Sequence, residues 1–319
     1  RKTYFFGPTD IKTKDAVIYC ENGWYNVETE AASLKGNASI TQGSKNILGD
    51  TLNYNPATKI SEGFCNVFYS DTIDKVAFSG DYALIDDSLN YSLITQNALI
   101  IKYQPKDTIY MHADTLFNQN DSLGERLITK GYHGVKIFGN SMQSVADSMS
   151  YSKADEYLEL FKDPIVWAKN GELKGDSICI YMNDSTINKV YINKNATVLM
   201  EVDSGMYYNQ IGGNEITAYF KDNELYQAIT VGNAQTIFYP TEEEKTDTSV
   251  VVKRMGMNRL YASELKVYLD SGEVTGITYF QQPDGVFYPM EKILEKEKWI
   301  ANFLLKFALR PKSVSDLFN

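Results

Sequence analysis

The sequence predicts an all-β fold of repeated antiparallel strand pairs, followed by one C-terminal helix. Three observations carry this reading. Apolar and polar residues alternate with a period of two, 23 Tyr and 15 Phe enrich the 319-residue chain in strand-forming rings, and short stretches of similar wording return along it. Alternation bounded by turn residues marks half-buried strands, and aromatic side chains suit a pleated surface.

The recurring words are "GDTLNYNPATKISEGFCNVFYSD", "DDSLNYSLITQNALIIKY", "VADSMSYSKADEYLELFKDPIVW" and "KGDSICIYMNDSTINKVYINKNATVLM". A small polar residue, followed at short range by an apolar one, starts each unit at Asp15, Asp50, Asp87, Asp114, Asp147, Asp176, Asn214 and Ser263. The period is loose, about 35 residues, which fits hairpins with variable turns. Second halves are marked by Asn37-Ala38, Asn66-Val67, Asn97-Ala98, Asn195-Ala196 and Asn233-Ala234. In the last three units the two halves keep a constant offset: Asp176 to Asn195, Asn214 to Asn233, Ser263 to Gln282. Turn words such as "NPAT", "MNDST" and "KDNE" separate the halves, so eight units give roughly sixteen strands. The Asp and Asn residues that open each unit read as turn formers bonding their own backbone. This repetitive region covers residues 1–289.

Two segments depart from the pattern. Residues 239–254, "YPTEEEKTDTSVVVKR", read as an exposed acidic loop. Residues 290–310 are the one helical candidate, opened after Pro289 and stopped before Pro311, with Ile293, Trp299, Ile300, Phe303, Leu304 and Phe307 at helical spacing. Such an amphipathic helix covers a hydrophobic end, here the last open sheet edge; lying on a membrane surface is the sharper and weaker alternative. A short tail, residues 311–319, follows.

Composition excludes several functions. A net charge of -10 argues against nucleic acid, whose phosphates need a basic face. Cys20, Cys65 and Cys179 are three and far apart, neither a disulfide framework nor a zinc spacing, and read as small buried thiols. His112 and His133 form no ligand motif, even with Asp114 nearby, so no metal and no cofactor is expected. The Asp86-Asp87 pair is unremarkable among 41 acidic residues. No nucleophile elbow or phosphate loop exists, so no catalytic residue is assigned and the chain is read as not an enzyme. No apolar run is long enough to cross a bilayer as a helix. The chain begins at Arg1 without an initiator Met, which reads as a fragment or processed form.

The words "GDTLNYNPATKISEGFCNV", "DDSLNYSLITQNALI" and "KGDSICIYMNDSTINKVYINKNATV" resemble the OstA-like (LptA-like) family of lipopolysaccharide-transport proteins. "YFFGPTDIKTKDAVIYCENGWYN" and "RPKSVSDLF" are most similar to its larger Bacteroidetes forms. The likeness spans about Tyr4 to Tyr288. It implies an elongated β-jellyroll of two sheets opening like a V, a periplasmic setting with outer-membrane association as one option, and a hydrophobic trough for lipid acyl chains. The partners it implies are lipopolysaccharide or lipid A, and other transport proteins joined through terminal strand edges. By strand parity the trough-lining residues are Ile40, Leu52, Tyr54, Val67, Leu89, Ala98, Ile100, Met149, Ile178, Ala196, Val198, Ile216, Ala234 and Leu265. Asp-Ser/Thr-aliphatic triplets, such as the one holding Ser122, also resemble an O-glycosylation pattern of exported Bacteroidetes proteins, although the repeat itself generates most of them. Two other classes stay open: a structural β-roll scaffold with a closed core, and a polysaccharide-acting β-helix enzyme. A continuous apolar groove favours the carrier, and dry packing between the sheets favours the scaffold.

Overall fold

The computed structural model describes the chain except Asp15, Lys106, 122–125, Lys169, Asn170, Asp184, Ser185, Asn223, 246–249 and 302–304; the side chains of Arg126, 243–245, Val250 and Val251 also lie outside it. Ser122 therefore falls outside the described residues. The fold is all-β. The chain divides into two compact units, the first formed by Arg1–Ala154 with Pro311–Asn319 and the second by Asp155–Arg310.

Unit 1 holds β1 (Lys2–Phe5), β2 (Thr9–Lys12), β3 (Val17–Cys20), β4 (Asn22–Asn26), β5 (Ala32–Gln42), β6 (Lys45–Asn55), β7 (Ile60–Asp71), β8 (Val76–Asp86), β9 (Tyr91–Tyr103), β10 (Thr108–Asn120), β11 (Arg126–Phe138) and β12 (Met142–Ser152). From β5 to β12 each strand pairs antiparallel with the next. Unit 2 holds β13 (Tyr157–Phe161), β14 (Ile165–Ala168), β15 (Gly171–Lys174), β16 (Ser177–Asn183), β17 (Thr186–Val202), β18 (Tyr207–Lys221), β19 (Glu224–Phe238), β20 (Thr241–Lys245), β21 (Val250–Arg254), β22 (Gly256–Asp270), β23 (Glu273–Phe280) and β24 (Asp284–Pro289). Here β17, β18, β19 and β22 pair in order, β15 and β16 pair with the two halves of β17, and β24 and β23 with the two halves of β22. The roughly sixteen strands read from the repeat become these twenty-four, because corners and short terminal strands divide what the sequence presents as single runs.

Corners explain the repeat. Every long strand is broken near its middle by a register shift in which one strand supplies an extra residue. Asn37, Asn66, Asn97, Asn195 and Asn233 sit there with φ between 47° and 59°, the left-handed region that Asn tolerates best after Gly. Each bulge bends its strand and carries the chain from one sheet arm to a facing one. At three unit starts the Asp or Asn bonds across to the bulge Asn, where a bond to its own backbone is expected. Asp50 accepts from Asn66 Nδ2 at 3.1 Å, Asp176 from Asn195 Nδ2 at 2.9 Å, and Asn214 Oδ1 from Asn233 Nδ2 at 3.4 Å. The third corner is Asp81, bonded by Asn97 at 2.8 Å. Asp87 instead lies in the β8–β9 hairpin turn, whose Ser88 and Leu89 amides donate to Asp86. His133 occupies an Asn position and meets Asp147 at 3.4 Å. Cys65 shares a corner with Asn66 and is exposed, unlike the buried Cys20 and Cys179, because the left-handed bulge turns its side chain outward.

Two further expectations are corrected. Residues 239–254 are not a loop: their described parts form the β20–β21 hairpin, with Tyr239 buried at its base and Arg254 bound to Asp203. Residues 290–310 contain no α-helix among those described, only 3-10 turns at Met290–Lys292, Glu295–Glu297 and Phe307–Leu309. Its described parts run as a strap across the outward face of the β17–β18–β19–β22 arm, where sheet side chains replace helical hydrogen bonds. Gln210 donates to the Lys298 carbonyl at 2.6 Å and accepts from the Ile300 amide at 3.0 Å, while Arg259 donates to the Glu297 carbonyl at 2.8 Å. Ile300 drops among Ile237, Tyr239 and Met257. A Cβ at Gly212 would lie 2.9 Å from its Cδ1, so the bare glycine lets Ile300 seat without shifting. In unit 1 the tail forms a 3-10 turn at Val314–Phe318 with a Ser313–Asp316 capping box; Leu317 is fully buried and Phe318 packs on His112.

Candidate lipid-binding interior

The corners turn strand alternation into facing rows. In unit 1, one arm lines up Leu34, Leu52, Gly63, Ala83, Ile94, Leu116, Gly131 and Met149 as successive cross-strand partners. The other arm lines up Ile18, Ile40, Ile47, Tyr69, Phe78, Ile100, Met111, Ile137 and Ser144. Small residues fill the vertex between them: Ala38 opposite Gly49, Val67 opposite Gly80, Ala98 opposite Ala113. A Cβ at Gly80 would approach Ile94 to 2.5 Å, so the arms touch at the vertex.

Unit 2 repeats the plan. Ile178, Ile192, Ile216, Thr230, Leu265 and Tyr279 form one row across β16, β17, β18, β19, β22 and β23. Leu173, Val198, Ile211, Thr236 and Leu260 form the facing row. Ala196 and Ala234 sit buried at the vertex beside the left-handed Asn195 and Asn233. The rows are joined by the hydroxyls of Thr236 and Tyr279, 2.8 Å apart, and burial pushes the Tyr279 phenol above its ordinary pKa. The corresponding cross-arm contact in unit 1 is Lys102 Nζ, 5.8 Å from the centre of the Tyr151 ring.

Of the residues chosen by strand parity, Leu52, Val67, Ala98, Ile100, Met149, Ile178, Ala196, Ile216, Ala234 and Leu265 are buried, and Ile40 and Val198 part-buried. All twelve fall on the rows or vertices above. Tyr54 lies near the end of β6 and is 36% exposed. Leu89 is a correction: it is 62% exposed in the β8–β9 turn, where strand parity does not apply. Thr236, Tyr279, Lys102 and Tyr151 were not singled out from sequence, because a contact between arms leaves no local pattern. His112 holds no metal arrangement with Asp114; its Nδ1 lies 2.8 Å from the Ala98 carbonyl oxygen, and burial lowers its pKa.

The rows are apolar apart from a few hydroxyls and, among the described residues, carry no carboxylate, which suits the interior to hydrocarbon. Most of its lining side chains are buried.

No protein-family model matches this chain, and no curated protein does. Among solved structures it is similar to the crystal structure of LptH, the LptA-homologous periplasmic component of the conserved lipopolysaccharide transport device from Pseudomonas aeruginosa. That similarity has 10% sequence identity and a TM-score of 0.32, and covers 36% of this chain and 83% of that one.

Proposed function

We propose that this chain is a non-enzymatic lipid carrier in lipopolysaccharide transport, working in the periplasm with acyl chains held between its facing arms and the sugar head outside. The observation that supports this best is the pair of long apolar rows in each unit, continuous across five or more strands and joined away from the vertex by contacts as slight as one hydroxyl pair. Parting the arms breaks few specific bonds, and hydrocarbon entering between them regains about 0.8 kcal/mol per buried CH₂. The recurring sequence words and their family resemblance support the same reading. β1 and β2 in unit 1, and β23 and β24 in unit 2, each pair with a single strand among the described residues. Such edges suit strand addition by other transport proteins.

A second reading, a closed β-roll scaffold of the envelope, is favoured by the burial of most lining residues against one another. One experiment separates the two. A photo-reactive residue placed at Met149 or Ile216 should crosslink lipopolysaccharide in cells, whereas one at the outward Thr217 should not. Absence of lipid adducts at both inward positions, in a chain that also takes up no added lipopolysaccharide, establishes the scaffold.

A further inference from the structure

The outward face of unit 2, on the opposite side of the sheet from the apolar rows, carries an open groove of about 520 Å³ lined by Asp155, Tyr181, Asn188, Lys189, Tyr219 and Tyr226 among others. We propose that this groove binds a saccharide chain. Two β-bulges build it. In the β16–β17 ladder Tyr181 pairs with Lys189 but Met182 with Ile187, leaving Asn188 as the extra residue. In the β18–β19 ladder Tyr219 pairs with Gln227 but Phe220 with Leu225, leaving Tyr226 as the extra residue. Bulges re-aim side chains, and these two deliver an amide and a phenol into the same groove.

Tyrosines that merely stabilise a sheet sit in register opposite a partner. Tyr226 is out of register and 47% exposed, with its ring 6.4 Å from that of Tyr219. Lys189 stands between Tyr181 and Tyr219 in the ladder, its ammonium 3.7 Å from the centre of the Tyr181 ring. The combination is the exposed Tyr226 ring beside the part-buried Tyr219, one carboxylate, one amide, one ammonium and several phenol hydroxyls in a shallow, solvent-open groove. Sugars present this chemistry in mirror: C–H-rich ring faces that stack on aromatics, and hydroxyls that both donate and accept. The opposite charges of Asp155 and Lys189 offset each other, which matches an uncharged, hydroxyl-rich ligand. The groove volume lies in the range of small-ligand clefts.

The saccharide could belong to a lipid headgroup or to a free polysaccharide, and the test distinguishes them. The full chain is titrated by calorimetry with the lipid-free oligosaccharide released from lipopolysaccharide, and separately with maltohexaose and cellohexaose. Binding of the first alone assigns a headgroup; binding of a glucan assigns a free polysaccharide. In either case Tyr226→Ala should weaken binding about ten-fold, the loss of one stacked ring, with Tyr226→Phe keeping most of it and the melting temperature unchanged. Failure of all three sugars to bind, or equal affinity in Tyr226→Ala and Asn188→Ala, overturns the proposal. Acyl uptake is read separately at Met149 and Ile216, so the two readings fail independently.

Discussion

The two faces of the β17–β18–β19–β22 arm are both buried, by different means. Inward, Ala196, Val198, Ile211, Ala234 and Thr236 face another arm of the same roll, and burial follows the alternation of each strand. Outward, Ile237, Tyr239 and Met257 are just as buried, packed against Ile300 of the strap, and the buried Gln210 bonds the strap's backbone. Inside, non-directional apolar contact dominates, and a polar atom is a defect. Outside, buried polar side chains are part of the design, since they satisfy the backbone of a segment that forms neither helix nor strand.

The largest effect expected from breaking this contrast is at Ile216, fully buried in the inward row. Ile216→Asp places an unpaired carboxylate where nothing answers it, and should cost at least about 4 kcal/mol, visible as loss of the cooperative urea transition of unit 2. A result under 1 kcal/mol would mean that the row is hydrated.

Gln210 tests the outward side. Gln210→Leu keeps bulk but strands the Lys298 carbonyl and the Ile300 amide, at a cost of about 2–3 kcal/mol. Hydrogen exchange should speed up across 295–300 while the strands keep their protection. Uniform loss throughout the unit would show that the strap is integral to the fold rather than laid upon it.

Thr230 sharpens the comparison from inside. Its side chain is fully buried in the inward row and its hydroxyl has no hydrogen-bond partner. Thr230→Val should therefore stabilise the unit by about 1 kcal/mol, the opposite sign to removal of the polar group at Gln210. Destabilisation would reveal a partner for the hydroxyl.

The smallest effect concerns pH. The Asp203 carboxylate receives hydrogen bonds from Arg254 at 2.8 and 2.9 Å; these hold its pKa below the ordinary value, against a smaller opposing push from burial. A carboxyl whose folded pKa is depressed stabilises the protein above its unfolded pKa, near 3.9, and that contribution is lost as pH falls through the folded value. Wild type should thus lose stability below about pH 4 more steeply than Asp203→Asn. Parallel acid melting curves for the two proteins would remove this pair from the account.

The sequence by itself determined the strands, their alternation and most of the inward rows. Twelve of the fourteen residues chosen by parity lie on a row or vertex, because period two leaves a strand only two faces; Tyr54, also within a strand, is 36% exposed near its end. Leu89 failed because "DDSLNY" and "GDTLNY" read alike, yet one is a hairpin turn and the other a corner. The Asn and Asp marks were visible too, but their meaning was not: a bulge bonded across to a neighbouring strand looks, in one dimension, like a turn. The strap was the larger miss. Apolar spacing over residues 290–310 satisfies a helix, and helical hydrogen bonds are the local solution for its backbone. Only the tertiary structure supplies the competitor, a sheet face with Gln210 and Arg259 placed to bond that backbone and a notch at Gly212 to admit Ile300. The winner between local and non-local hydrogen bonding depends on groups 38 to 90 residues away, which no local window of sequence contains.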